Sequence, residues 1–355
     1  MSKKEKGAPL NPHLRFRAAA RPASAGNLFA ALRGGERHRR ALGQAITLLE
    51  STQADDRQLA DELIDLLEAS PPAKPTFRLG ISGTPGVGKS TFIECFGLAV
   101  AEAGHRLAVL AIDPSSSLSG GSILGDKTRM EELTRHPNVF IRPSPTGGHL
   151  GGVGANSRAA ILCCEAAGYD YIIVETVGVG QAEWQVHGMT DAFLLLAQPA
   201  AGDELQSIKR GILELADHIA VNKADALPEA AKQTALELRR GLHLAPARVD
   251  EWTVRVTTIS ALTGEGVTEL LEQLSNYADK MRQAGWLRQR RANQRITWLR
   301  ERCERELLAD LDAFLRERER TTDGLQRILD EHISLSAATN VILAEFKQRN
   351  KTTLL

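Results

Sequence analysis

The sequence predicts an α/β fold, a mostly parallel sheet flanked by helices, with a helical unit ahead of it and more helices behind. Three observations carry this. Strand-like runs alternate with helical ones from Phe77 to about Leu274. Several of those runs are continuously apolar, as strands are when both faces of a parallel sheet are covered. A glycine-rich turn joins the first run to a helix, giving the order strand, loop, helix.

The elements follow in order. The first 35 residues hold few acids, several Arg and some Ala and Ser. They read as a disordered tail, residues 1–35, with Pro9, Pro12 and Pro22 opposing a stable helix. A mitochondrial transit peptide is the alternative. Glu36 to Glu50 has helical spacing at Leu42, Ile46 and Leu49, and Asp55 to Ala69 has it at Leu59, Leu63, Leu66 and Leu67. Pro71, Pro72 and Pro75 then mark a linker. Residues 36–75 are thus a helical unit and linker before a sheet domain over 76–284.

In that domain Phe77–Ser82 is a strand and Thr91–Val100 the helix after the turn. Further strands are Arg106–Ile112, Asn138–Arg142, Tyr171–Glu175, Ala192–Ala197, His218–Asn222 and Val254–Ile259. Ligands of such sheets bind at the carboxyl ends of the strands. From 285 to 355 the chain reads as helices. Trp286 to Arg320 is rich in Arg and Glu, with a narrow seam of Ile296, Leu299, Cys303, Leu307, Leu311 and Leu315. Thr322 or Asp323 is a cap for a next helix, and Ser336 to Gln348 is a final one. The long helix either packs back on the sheet or serves as a dimerisation arm; the arm is favoured, because a narrow seam with charged flanks resembles a helix-pairing surface.

Composition narrows the function. The formal net charge of zero argues against a general nucleic-acid binder. Cys95, Cys163, Cys164 and Cys303 show no metal-ligand spacing and no secreted framework, so they read as reduced thiols of a cytoplasmic protein. No apolar run is long enough to span a bilayer.

The chemistry sits in a series of motifs. Gly83-Thr84-Pro85-Gly86-Val87-Gly88-Lys89-Ser90 fits the phosphate-binding loop G-x-x-x-x-G-K-[ST]. Its glycines let backbone N–H groups cradle phosphate oxygens, where a Cβ would block the approach. Lys89 reaches the β- and γ-phosphates, Ser90 offers its hydroxyl to Mg²⁺, and the helix from Thr91 presents its positive end. Gly83 through Thr91 are therefore candidate nucleotide-binding residues. An ordinary glycine-rich turn is the bland alternative.

Asn222-Lys223-Ala224-Asp225 fits the guanine-reading pattern N-K-x-D. A carboxylate at Asp225 accepts from guanine N1–H and its exocyclic amine, donors that adenine lacks there. Ser260-Ala261-Leu262 fits the segment that backs the base. Val174 to Gln181 stands where a D-x-x-G segment meets the γ-phosphate, with Glu175 in place of the usual Asp. The longer carboxylate is suited to acting through the attacking water. Asp113, after a strand, is a candidate Mg²⁺ partner, and Asp126, in the Gly- and Ser-rich run 119–130, could join the metal or water network. Catalytic candidates are Lys89, Glu175 and Asp126; metal candidates are Ser90, Asp113, Asp126 and Glu175. A turn, a cap or a surface carboxylate is the structural alternative for each Asp, and a local hydrogen-bond network for Glu175.

Together, Asp-Pro-Ser-Ser-Ser at 113–117, the 119–130 run, Glu-Thr-Val-Gly-Val-Gly-Gln at 175–181 and Asn-Lys-Ala-Asp at 222–225 resemble the MeaB/ArgK/MMAA group of P-loop GTPases. The similarity covers about residue 36 to the C-terminus. It implies a P-loop GTPase fold, GTP and GDP as ligands with Mg²⁺, and slow hydrolysis that quickens with a partner. The implied partner is an adenosylcobalamin-dependent acyl-CoA mutase, methylmalonyl-CoA mutase first, whose cofactor loading the GTPase gates and which it protects or reactivates. The resemblance also implies a homodimer through C-terminal helices, and it matches Gln198 to Lys209 to a mobile coupling loop. No Asp-x-His-x-x-Gly cobalamin pattern occurs, so the chain reads as a separate chaperone.

A metallochaperone-type GTPase and a kinase of a transport protein are the alternatives. The first wants a Cys/His cluster near the phosphate loop, and the second an acceptor site; neither has a motif here. The guanine reading predicts that Asp225→Asn weakens GTP binding and improves that of xanthosine triphosphate, whose exocyclic oxygen needs a donor. Unchanged GTP affinity in a nucleotide titration would remove Asp225 from the base site.

Overall fold

A computed structural model describes residues 24–34, 38–51, 53–113, 130–145, 152–176, 182–199, 210–243, 250–320 and 334–353. The chain forms two compact units, Met1–Ala284 and Gly285–Leu355.

The first unit is built on seven parallel strands: β1 (Phe77–Gly83), β2 (Leu107–Asp113), β3 (Val139–Pro145), β4 (Tyr171–Thr176), β5 (Ala192–Ala197), β6 (His218–Val221) and β7 (Arg255–Thr258). Their order across the sheet is β3-β2-β4-β1-β5-β6-β7. Strand β1 lies between β4 and β5, and the chain fills one side of it before crossing to the other. That reversal opens a crevice at the carboxyl end of β1. All residues of β1, β4, β5 and β6 are buried, which is why they read as unbroken apolar runs.

Helices flank the sheet: α4 (Lys89–Glu102), α5 (Glu131–Arg135), α6 (Gly152–Ala166), α7 (Ala182–His187), α8 (Arg210–Leu215), α9 (Pro228–His243) and α10 (Val267–Gln283). They follow three shorter-range helices at the amino end, α1 (Ala25–Arg33), α2 (His38–Leu49) and α3 (Ala54–Ala69). These three pack on one another and on α6. Arg39 donates to the carbonyls of His136, Pro137 and Val139, and Arg142 on β3 pairs with Glu50 at 2.7 Å, so α2 is tied to the sheet edge.

Helix α1 departs from the tail expected over 1–35. Ser24 caps it, accepting from Asn27 N at 3.2 Å, and Ala25, Leu28 and Leu32 are buried. All three prolines that opposed a helix precede Ser24, and a three-residue apolar face is too short to stand out in a sequence. The rest of that tail lies outside the described residues, as do Thr322, Asp323 and the helix expected after them.

The amino ends of the strands share one device. Asp170, Asp191 and Asp217 each stand immediately before a strand. Their carboxylates accept from the backbone N–H of Arg106, Arg78 and Phe193 at 2.9, 2.9 and 2.8 Å. Each therefore satisfies a donor at the start of a neighbouring strand, where the ladder has no carbonyl to offer. Beside them, the buried Arg78 guanidinium meets Glu165 of α6 through two bonds, 2.8 and 2.9 Å, and Thr76 Oγ1 donates to the same carboxylate at 2.6 Å.

The second unit holds α11 (Trp286–Glu319) and α12 (Leu335–Thr353). Arg318 pairs with Glu345, Arg349 with Glu317, and the rings of Phe314 and Phe346 lie 5.7 Å apart. Ile296, Leu299, Leu307 and Leu308 on α11 are well exposed.

Replacing Glu165 by Ala strands the buried Arg78 charge, so the first unit should lose about 3–5 kcal/mol of stability. Urea unfolding of Glu165→Ala is expected to show a lower midpoint with an unchanged slope. An unchanged midpoint would mean that the pair contributes nothing.

Candidate functional site

The crevice at the end of β1 is where the sequence motifs meet. The loop from Gly83 to Gly88 leaves β1, and α4 starts at Lys89. Gly86 and Gly88 have φ of +81° and +93°, the left-handed region that glycine occupies without strain. Gly88 is constrained twice, since a Cβ there would lie 2.8 Å from Asn222 Nδ2. Val87 is buried and anchors the loop, while Thr84 and Ser90 are half-buried and Pro85 and Thr91 exposed. The first N–H groups of α4 have no intrahelical partner and face the loop's mouth with the positive end of the helix dipole.

Lys89 folds back over the loop, its Nζ donating to Gly83 O at 2.7 Å. Burial pushes its ammonium below the ordinary lysine range, and the carboxylates of Glu175 and Glu183 pull the other way. Glu175 is buried at the end of β4 and pairs in register with Ile81 of β1, so it stands one strand from the loop's own strand. Next to it, Thr176 Oγ1 and Ser82 Oγ share a hydrogen bond of 2.9 Å.

The second half of the site hangs on Asn222. Its Nδ2 donates to Val87 O at 2.8 Å and its Oδ1 accepts from Ala261 N at 2.9 Å. One buried carboxamide thus joins the phosphate loop, the 222–225 turn and the 260–262 turn. Ala224 N donates to Ile259 O at 3.0 Å and closes the same junction. Lys223 has a φ of 61°, uncommon for a residue with a side chain, and its Nζ donates to Gly86 O at 2.7 Å. Asp225 is exposed beyond this turn. Ser260 is fully buried and accepts from Thr263 N at 3.1 Å, holding the turn that leaves Leu262 78% exposed.

The structure thus brings together Gly83 to Thr91, Glu175, Asn222, Lys223, Asp225, Ser260, Ala261 and Leu262. Asp113 ends β2, which β4 separates from β1. Asp126 lies outside the described residues, as do the 119–129, 177–181 and 200–209 segments. A Ser hydroxyl and carboxylates are hard oxygen donors, the set that Mg²⁺ takes beside phosphate oxygens, so the residues present fit that ion.

Lys223, expected at the base-reading turn, also clamps the phosphate loop with its ammonium. One residue escaped the sequence reading. Glu183 on α7 is 4% exposed, and its charge favours the protonated form of Lys89. The signal available for it was an acid three residues ahead of the buried Val186.

This geometry can hold a nucleoside triphosphate by its phosphates at one end and its base at the other. Comparison with known proteins narrows it. The family described as "Methylmalonyl Co-A mutase-associated GTPase MeaB" matches residues 42–314. The chain is 44% identical over 321 residues to "Methylmalonic aciduria type A homolog, mitochondrial" of Mus musculus, covering 88% of this chain and 77% of that protein. It is 45% identical over 283 residues to "GTPase ArgK" of Escherichia coli, covering 79% and 84%. Among solved structures, "LAO/AO transport system kinase" superposes with a TM-score of 0.70 at 34% identity, over 93% of this chain and all of that one.

Asn222→Ala would leave Val87 O and Ala261 N–H buried without partners, a loss of roughly 2–4 kcal/mol at one to two per group. We expect a lower melting midpoint together with weakened binding of any nucleotide, since both ends of the site lose their common support. A variant that melts and binds like the parent would show that the junction is not held by this side chain.

Proposed function

The chain belongs to the family of methylmalonyl-CoA mutase-associated GTPases, and on that premise we propose that it is a GTP-driven chaperone of an adenosylcobalamin-dependent acyl-CoA mutase. It is a GTPase and its ligand is a guanine nucleotide. The observation that supports the nucleotide half of this reading is the Asn222 junction, which joins the base-reading turns to the phosphate loop. The family's description supports methylmalonyl-CoA mutase as the partner.

In this reading the chain's own residues act chiefly by position and charge, as phosphoryl transfer requires. The loop N–H groups and Lys89 hold the β- and γ-phosphates. Ser90, with Asp113, Asp126 and Glu175, would hold Mg²⁺, which when bound neutralises charge on the phosphate oxygens. Glu175, at the end of β4 beside the loop's own strand, orients the attacking water and accepts its proton. Asn222, Asp225 and the 260–262 turn select guanine. The exposed Ile296, Leu299, Leu307 and Leu308 support pairing of two copies along α11, because an apolar row on a charged helix favours a partner. Among the described residues no helix is long and apolar enough to cross a membrane.

The test is phosphate release from GTP by the full chain, alone and with purified methylmalonyl-CoA mutase. Slow release that rises several-fold with the mutase is expected, and Lys89→Ala should abolish it in both cases. Equal rates with and without the mutase would overturn the partner. Labelled phosphate recovered on a protein instead of in solution would favour the kinase reading.

A further inference from the structure

Strands β1 and β4 run in register from Phe77 against Tyr171 to Ile81 against Glu175, where their pairing ends. Past that point β1 stays paired with β5, Gly83 against Leu196, and β4 with β2, Thr176 against Ile112. The two strands thus part at the crevice, and a side-chain bond crosses between them there. Ser82 Oγ and Thr176 Oγ1 lie 2.9 Å apart, and both residues are buried. One hydroxyl donates and the other accepts.

Packing alone does not call for these hydroxyls. The strands around them are built from Leu79, Ile81, Ile172 and Val174, all fully buried. Val has nearly the shape of Thr and would fill the same space with no polar group to satisfy, whereas a buried hydroxyl is tolerated only when it is paired. The pair also sits between two residues of the site. Ser82 is joined through one peptide bond to Gly83, whose carbonyl accepts from Lys89 Nζ at 2.7 Å. Thr176 is joined through one peptide bond to the buried Glu175. The bond therefore ties the start of the phosphate loop to the carrier of the carboxylate, at the point where the strands no longer hold each other.

We infer that Ser82 and Thr176 are further positioning residues of the hydrolysis, a hydroxyl pair that sets Glu175 against the mouth of the phosphate loop as β1 and β4 part. The inference rests on the GTPase reading of that loop and on the role proposed for Glu175. It separates two functions of the site. Holding GDP depends on the loop and on the base-reading turns, which Asn222 joins. Turnover depends in addition on where Glu175 stands.

The experiment compares Thr176→Val, Ser82→Ala, the double variant and Thr176→Ser with the parent in the full chain. It measures kcat and KM for GTP, affinity for GDP, and the thermal midpoint. Thr176→Val should lower kcat roughly 10- to 100-fold, the usual effect of a slightly misplaced catalytic group, with KM and GDP affinity near the parent's. Its midpoint should fall, because the Ser82 hydroxyl is left buried and unpaired. In the double variant the midpoint should recover, since both polar groups are gone, while kcat stays as low as in the worse single variant. Thr176→Ser returns the hydroxyl and should restore part of kcat. A kcat that recovers with the midpoint in the double variant, or that falls only together with GDP affinity, would overturn the inference in favour of a purely structural bond. Losses that multiply in the double variant would overturn the pair as a unit. Parental kcat in both single variants beside an inactive Lys89→Ala would overturn the inference and leave the phosphate loop standing. Full turnover in Lys89→Ala would overturn the reading beneath it.

Discussion

One carboxamide sets the dimensions of the nucleotide site. Asn222 uses its donor on the phosphate loop and its acceptor on the turn after β7, and both bonds are buried. No other side chain of that size offers both groups. Asp would present a second acceptor to Val87 O, and the longer Gln would have to displace one of its partners. The spacing between the phosphate loop and the 260–262 turn is thereby held by one side chain. Gly88 must lack a side chain for the same reason, since its Cβ position is where Asn222 approaches. Lys223, held at an unfavourable φ, adds a second tie from the same turn to the same loop. Strain of that kind persists only where its surroundings impose it.

The other end of the sheet is treated differently. There the polar groups are carboxylates that finish the ladder: Asp170, Asp191 and Asp217, with the Arg78–Glu165 pair beside them. All are at or below the surface and saturated by short bonds. The working end carries left-handed glycines, a half-buried cation and turns joined through single side chains. Function in an open α/β sheet gathers at the carboxyl edge, and the contrast between the two edges shows what that costs and where it is offset.

Much of this was legible in the residues. The unbroken apolar runs named the strands because both sheet faces are covered, and the phosphate-loop and Asn-Lys-Ala-Asp patterns named the loops because their spacing is set by backbone geometry. Helix α1 was not legible, since Leu28 and Leu32 owe their burial to α2 and α3, and so to packing that no local pattern records. Glu183 was hidden for a related reason. An acid near a helix start reads as a solvated cap, and only the docking of Val186 on the bare Gly80 turns it inward. The aspartates before the strands were in plain view as Tyr-Asp-Tyr, Thr-Asp-Ala and Ala-Asp-His, a threefold recurrence that gains meaning only when the strands are placed side by side.

Those three aspartates also divide how the protein can fail. A change at Asp170, Asp191 or Asp217 removes the acceptor from an N–H at the start of a neighbouring strand and acts on whether the chain folds. It lowers the amount of protein in a cell and leaves each surviving molecule competent. A change at an exposed residue of the opposite edge, such as Asp225, spares the fold and acts on the site alone, as a clock with a damaged escapement still hangs on the wall. Two changes in one chain can therefore give the same loss of total activity while one reduces how much protein is folded and the other what each folded molecule does.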